Sequence, residues 1–71
     1  MSSYDSEAVN CFINSASKGY VHGQYSLGYM YFYGYGCAKD HKRALTWFIA
    51  AAKQGDIRAE RFVQYLRRQG I

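Results

Sequence analysis

Apolar residues recur along this chain at helical spacing. Ala44, Trp47, Phe48, Ala51 and Ala52 follow the order i, i+3, i+4, i+7, i+8, and nearer the start Ala8, Phe12 and Ala16 trace a thinner stripe of the same kind. A stripe of this kind marks the side of a helix that packs on a neighbour. No stretch alternates apolar and polar residues for the length of a strand. Tyr29 to Tyr35, with tyrosine at every second position, suits a strand on propensity alone. The helical set Leu27, Met30 and Tyr31, followed by Gly34-Tyr35-Gly36, instead makes this segment a helix end.

Capping residues set the boundaries. Ser3 is placed to N-cap a first helix over residues 4–18, with Asp5 and Glu7 in the first turn, where carboxylates suit the macrodipole, and with Lys18 and Gly19 closing it. A second helix over 21–33 stops at Gly34 and Gly36, since glycine supplies the positive φ of a tight exit. Asp40 is placed to N-cap a third helix that runs to Lys53, with Gly55 just beyond its C-cap, and Asp56 to cap a fourth that ends near Arg68. Four helices joined by short loops are antiparallel neighbours, which predicts an all-α fold of two stacked helical hairpins.

The chain also repeats itself. A shift of 36 positions superimposes Ala8 on Ala44, Phe12 on Phe48, Ile13 on Ile49, Ala16 on Ala52, Gly19 on Gly55 and Tyr29 on Tyr65. Val9 with Leu45, Val21 with Ile57 and Leu27 with Val63 add conservative matches. A period of this size belongs to architectures whose units cannot bury an apolar face alone and stack on one another.

Within the run Gln24 to Asp56 stand Leu27-Gly28, Met30-Tyr31, Gly34-Tyr35-Gly36, Asp40, Ala44-Leu45-Thr46-Trp47-Phe48 and Ala51-Ala52-Lys53-Gln54-Gly55. This run resembles a Sel-1-like repeat, the α-solenoid family related to tetratricopeptide repeats, whose pattern reads Leu-Gly, Met-Tyr, Gly-x-Gly-Val, Asp, Ala-x-x-Trp-Tyr and Ala-Ala-x-x-Gly. The resemblance divides the chain into a half repeat over 4–20, a full repeat over 21–56 and a terminal half repeat over 57–71. It implies a short α-α superhelix in which Leu27, Gly28, Tyr31, Gly34, Gly36, Asp40, Ala44, Trp47, Ala51, Ala52 and Gly55 are structural positions, with Tyr25 also in the core. Two departures stand out. Cys37 replaces the valine of the pattern, and Gln64 stands where Gly28 would predict glycine. In the family that glycine lets helices approach closely, so Gln64 implies that nothing from the same chain packs on that side of the last helix.

Family members bind other proteins through a concave surface, and no catalytic activity belongs to the repeat. The resemblance therefore implies an interaction module, such as an adaptor, an inhibitor or an immunity-type neutraliser, and not an enzyme. Tyr29, Tyr33 and Tyr35 fall at positions that the family leaves variable. Tyrosine offers large contact area for little lost side-chain entropy, so these three form the expected partner-binding patch. Tyr65, equivalent to Tyr29, extends it, and His22, Arg58 and Arg61 are placed to form its polar rim.

Composition narrows the alternatives. In 71 residues, 49% are hydrophobic and 20% charged, which excludes a disordered chain, and no apolar run approaches the roughly 20 residues of a membrane-spanning helix. The polar start Met1-Ser2-Ser3-Tyr4 lacks the basic and apolar regions of a secretory signal, so the cytoplasm is the expected compartment and Cys11 and Cys37 are expected to be free thiols. Cys37, Asp40 and His41 lie close in sequence, but no Cys-x-x-Cys or His-x-x-x-His pair accompanies them, so no metal, cofactor or catalytic site is expected. The net charge of +4 is uneven. Residues 1–36 carry Lys18 against Asp5 and Glu7, while Lys39, Lys42, Arg43, Lys53, Arg58, Arg61, Arg67 and Arg68 all lie in the second half. That skew points to a protein partner with an acidic or mixed surface. The alternative is a small basic nucleic-acid-binding protein, against which stands the dispersal of the cations over solvent-side positions. Open terminal helix edges and opposed charge halves also permit self-association.

Overall fold

Two aspartates and a set of glycines punctuate the described residues into four helices. The computed structural model describes residues 6–71, with side chains from Phe12 onward, and its elements are α1 Ser6–Ser17, α2 Val21–Tyr33, α3 His41–Lys53 and α4 Ile57–Arg68. Each helix packs on the one before it, α2 on α1, α3 on α2 and α4 on α3. The architecture is the expected all-α short helical repeat, with no strand among the described residues. None of these helices is long and apolar enough to cross a membrane. The Ser3 cap, the Asp5 and Glu7 side chains and the Cys11 thiol lie outside the described residues and side chains.

The caps explain where the helices begin and end. The Asp40 carboxylate accepts a hydrogen bond from the Arg43 N–H at 3.1 Å at the start of α3. At the start of α4, Asp56 accepts from the Arg58 N–H at 2.9 Å and the Ala59 N–H at 3.3 Å, satisfying donors that a helix N-terminus leaves without partners. No side chain caps α2, which begins after Tyr20. After α3 the Gly55 N–H donates to the Ala52 carbonyl and the Asp56 N–H to the Ala51 carbonyl, the Schellman pairing, which needs a residue at positive φ; Gly55 has φ +93°. α2 ends on Gly34 at φ +76°, whose N–H bonds Met30, and Gly36 at φ +71° follows. The loop then closes back as the Asp40 N–H donates to the Tyr31 carbonyl at 2.9 Å, so the exit of α2 and the entry of α3 are tied together.

The core between these helices is thin and made of small residues. Ala16, Leu27, Tyr31, Ala44, Phe48, Ala51, Ala59, Val63 and Leu66 are buried, and Phe48, Leu27 and Leu66 are the largest side chains covered completely among the described residues. Alanines let helix backbones come close, and two glycines on α2 carry that further. A Cβ at Gly28 would stand 2.9 Å from Cδ1 and Cε1 of Phe48, and one at Gly23 would meet the Ser15 side chain and, at 2.9 Å, the Ala16 backbone nitrogen. α2 thus meets α1 through Gly23 and α3 through Gly28. By the repeat, Gly28 corresponds to Gln64, which is exposed on α4, so no helix among the described residues uses that side of α4.

A polar element also holds the ends of three helices. Gln24 is almost wholly buried, at 7% exposure, and its Oε1 accepts from Gln54 Nε2 at 2.8 Å. The same Gln54 amide donates to the Gly19 carbonyl at 2.9 Å, while Gln24 Nε2 reaches the Ala16 carbonyl at 3.5 Å. A buried amide without such partners would cost about 1–3 kcal/mol, so the pair fixes the relative height of α1, α2 and the end of α3.

Gly28→Ala gains up to about 1 kcal/mol of helix propensity, yet forces a methyl into the Phe48 ring, at a typical overpacking cost of about 1–3 kcal/mol. Urea denaturation is expected to show net destabilisation and a Tm lower by several degrees, whereas Gln64→Ala, at the equivalent but open position, changes stability by less than about 0.5 kcal/mol. Equal effects at the two positions would contradict the close approach at Gly28.

Candidate protein-binding face

Helical spacing places Tyr25, Tyr29, Phe32 and Tyr33 on one stripe of α2, at i, i+4, i+7 and i+8, and Arg58, Arg61, Phe62 and Tyr65 on one stripe of α4, at i, i+3, i+4 and i+7. α3 lies against both helices and holds these stripes towards each other. Between them runs an open groove of about 600 Å³, lined by Tyr25, Phe32, Tyr33, Arg58, Arg61, Phe62 and Tyr65.

The groove is built outward from the core. The buried Phe48 ring stacks on Phe62 with centroids 4.4 Å apart and planes 4° from parallel. Phe62 in turn meets Phe32 edge-on at 5.0 Å and Tyr25 at 6.2 Å, and Phe32 reaches Tyr65 at 5.8 Å. At one end the tyrosines gather: Tyr29 lies 4.7 Å from Tyr33 and 5.9 Å from Tyr35, and Tyr33 and Tyr35 stack at 5.5 Å. The tyrosines of this cluster and Tyr65 keep a wet side. Tyr29 is 37% exposed, Tyr33 47%, Tyr35 56% and Tyr65 49%, so a partner that covers them removes a contiguous aromatic surface from water. Partial burial among its neighbours pushes the Tyr29 phenol above its ordinary pKa, with Tyr33, Tyr35 and Tyr25 acting in the same direction.

The two arginines of the rim differ. Arg58 donates from Nε and Nη2 to the two Asp56 oxygens, at 3.2 and 3.0 Å, and its guanidinium lies over the Tyr25 ring at 4.1 Å. These hydrogen bonds hold the Asp56 carboxyl below its usual range, with the backbone N–H groups of Ala59 and Arg58 adding to the effect against the opposing pull of burial. One carboxylate therefore starts α4 and also fixes a groove wall. Arg61 makes no ion pair among the described residues.

The structure brings Tyr29, Tyr33, Tyr35, Tyr65, Arg58 and Arg61 into one region, although Tyr29 and Tyr35 flank the groove and do not line it. His22 is exposed at the start of α2 and is not among the lining residues. Tyr25, Phe32 and Phe62 are the groove residues that the sequence reading did not assign to the binding surface. Tyr25, expected in the core, is half-buried and packs against it while its other side faces the groove, and the i+4 spacing of Phe62 from Arg58 is the sequence signal for the third. Cys37 is half-buried, and burial pushes its thiol up while Arg43 opposes, so it stays protonated at neutral pH and packs as a hydrophobe. His41 stacks on Phe32 at 4.7 Å and 12°, with its Nε2 covered. Among the described residues no three His, Cys, Asp or Glu side chains converge on one point. Away from this face, Ile13, Tyr31, Arg43, Thr46 and Trp47 line a smaller cleft of about 320 Å³.

Comparison with known proteins bears on the helical repeat that carries this face. The model of the Sel1 repeat matches residues 21–56, the span from the start of α2 to the cap of α4. Over 47 residues, 66% of the chain, it is 43% identical to chitin synthase regulatory factor 3 of Schizosaccharomyces pombe. Over 45 residues, 62% of the chain, it is 38% identical to the ERAD-associated E3 ubiquitin-protein ligase component HRD3A of Arabidopsis thaliana. The matched segments span only 5% and 7% of those two proteins. No solved structure gives a match.

Asp56 has a folded pKa below its unfolded value of about 3.9. Its stabilisation is complete above that value and is lost as pH falls through the folded pKa. Asp56→Asn keeps a capping oxygen but loses the ion pair, so the variant is expected to lose less stability than wild type between about pH 5 and pH 2 in urea titrations. Parallel pH profiles for the two proteins would contradict the assignment.

Proposed function

The chain belongs to the Sel1 repeat family, and from that membership we propose that its α2 and α4 aromatic face is the surface on which another protein docks. Sel1 repeats are protein–protein interaction modules, and the chain's coarse role is that of such a module. The finer reading is that it acts as a non-catalytic adaptor or inhibitor, with a partner whose surface is acidic or mixed. One observation carries it: four of the five exposed tyrosines among the described residues, from α2, the loop after it and α4, collect around a single groove, Tyr20 being the exception. Well-packed aromatic and arginine side chains are the residues that dominate binding energy in protein interfaces. The rim arginines and the net charge of +4 favour a partner with negative potential. The names of the two relatives, a regulatory factor and a ligase component, support an accessory role within a larger assembly.

Affinity capture on the immobilised protein, read by quantitative mass spectrometry, tests this. Tyr29→Ala with Tyr33→Ala removes exposed rings and is expected to leave the helical circular dichroism intact while reducing recovery of specific partners at least tenfold. Thr46→Ala, beside the smaller cleft, is expected to leave recovery unchanged. Equal recovery by the tyrosine double variant and wild type would contradict the proposal.

A further inference from the structure

The groove is lined by two guanidinium groups and no carboxylate, and that imbalance says what it accepts. Arg58 is already neutralised and immobilised by Asp56 and by the Tyr25 ring. Arg61, one turn further along α4, reaches the same groove with no carboxylate among the lining side chains; Glu60, its neighbour in sequence, is exposed and not among them. Between the arginines and Tyr33 the floor is the apolar pair Phe32 and Phe62. The volume of about 600 Å³ suits a few side chains of a partner.

We propose that the groove captures a linear segment of the partner protein in which an acidic residue stands beside a bulky apolar one, and that Arg61 selects for the acid. The inference rests on the reading that this face binds protein. An apolar side chain seated on Phe32 and Phe62 strips water from the groove, and an unpaired guanidinium in that drier site is costly unless the incoming segment supplies an anion. The planar fork of arginine meets a carboxylate with two parallel hydrogen bonds, which gives direction as well as attraction. The alternative anion is the backbone of a single-stranded nucleic acid, which is tracked by a run of cations. Lys39, Lys42 and Lys53 do not line the groove, and one of its two arginines is already paired, so the observations favour the carboxylate.

Selection of a phage-displayed library of random dodecapeptides on the folded protein tests the inference, with fluorescence anisotropy of the enriched peptides as the quantitative arm. Enriched sequences are expected to pair Asp or Glu with Phe, Leu or Trp, and replacing the acid by its amide is expected to weaken binding about tenfold. That preference should vanish in Arg61→Gln and persist in part in Arg61→Lys. The inference is overturned by enriched peptides without an acid, by an acid preference that survives Arg61→Gln, or by failure to enrich any peptide. It is equally overturned if a single-stranded oligothymidylate binds more tightly than every enriched peptide at physiological salt. If no peptide is enriched while partner capture still depends on Tyr29 and Tyr33, the segment inference fails and the protein-docking reading stands.

Discussion

Everything this small fold presents to solvent depends on how closely α2 approaches α3 at Gly28. With no side chain at that position, the Phe48 ring comes within 2.9 Å of where a Cβ would stand, and the ring is fully buried there. A chain of this length buries only about 60% of the surface that it exposes when unfolded. Few large side chains are left for its interior, and a single ring seated between helices becomes decisive. Gly23 performs the same service towards α1, so α2 is squeezed from two sides by contacts that any larger residue would push apart.

From Phe48 the structure grows outward as one aromatic seam. Phe62 stacks on Phe48, Phe32 and Tyr25 stand against Phe62, and the exposed tyrosines pack on these in turn. Core and face are therefore the same set of contacts seen at different depths. A binding surface built this way is preorganised, because most of its rings are held by the packing that folds the domain, and little ordering is left for the moment of association. The caps add to this: Asp56 begins α4 and also fixes Arg58 above Tyr25, so the wall of the groove is set by the same residue that starts the helix.

The helices were legible in the sequence because their signals are local. Asp40, Asp56, Gly34 and Gly55 act on backbone groups within a few positions, and each stands where spacing and capping rules place it. The stacking of those helices was legible through the period of 36. What escaped were features that need two distant segments at once. Gln24 and Gln54 are ordinary polar residues in sequence, and only the folded chain buries Gln24 and bonds it to Gln54. Phe32 and Phe62 stand on different helices, far apart in sequence, and the groove appears only when α2 and α4 lie on α3. The tyrosine cluster was visible as a local excess, but the sequence reading put His22 on its rim, while the structure leaves it exposed at the start of α2 and off the groove lining. The repeat equates His22 with Arg58, yet only Arg58 has a carboxylate two residues back to hold it over a ring.

The seating of Gly28 on Phe48 is open to direct measurement by proton NMR of the wild-type protein. A Gly28 Hα proton occupying the Cβ direction lies against the face of an aromatic ring and is shifted upfield by its ring current, and cross-relaxation links it to the Phe48 ring and that ring to Phe62. The account predicts an upfield Gly28 Hα resonance with nuclear Overhauser contacts to Phe48 and strong contacts between the Phe48 and Phe62 rings. A Gly28 Hα at its random-coil position, without contacts to Phe48, would contradict it.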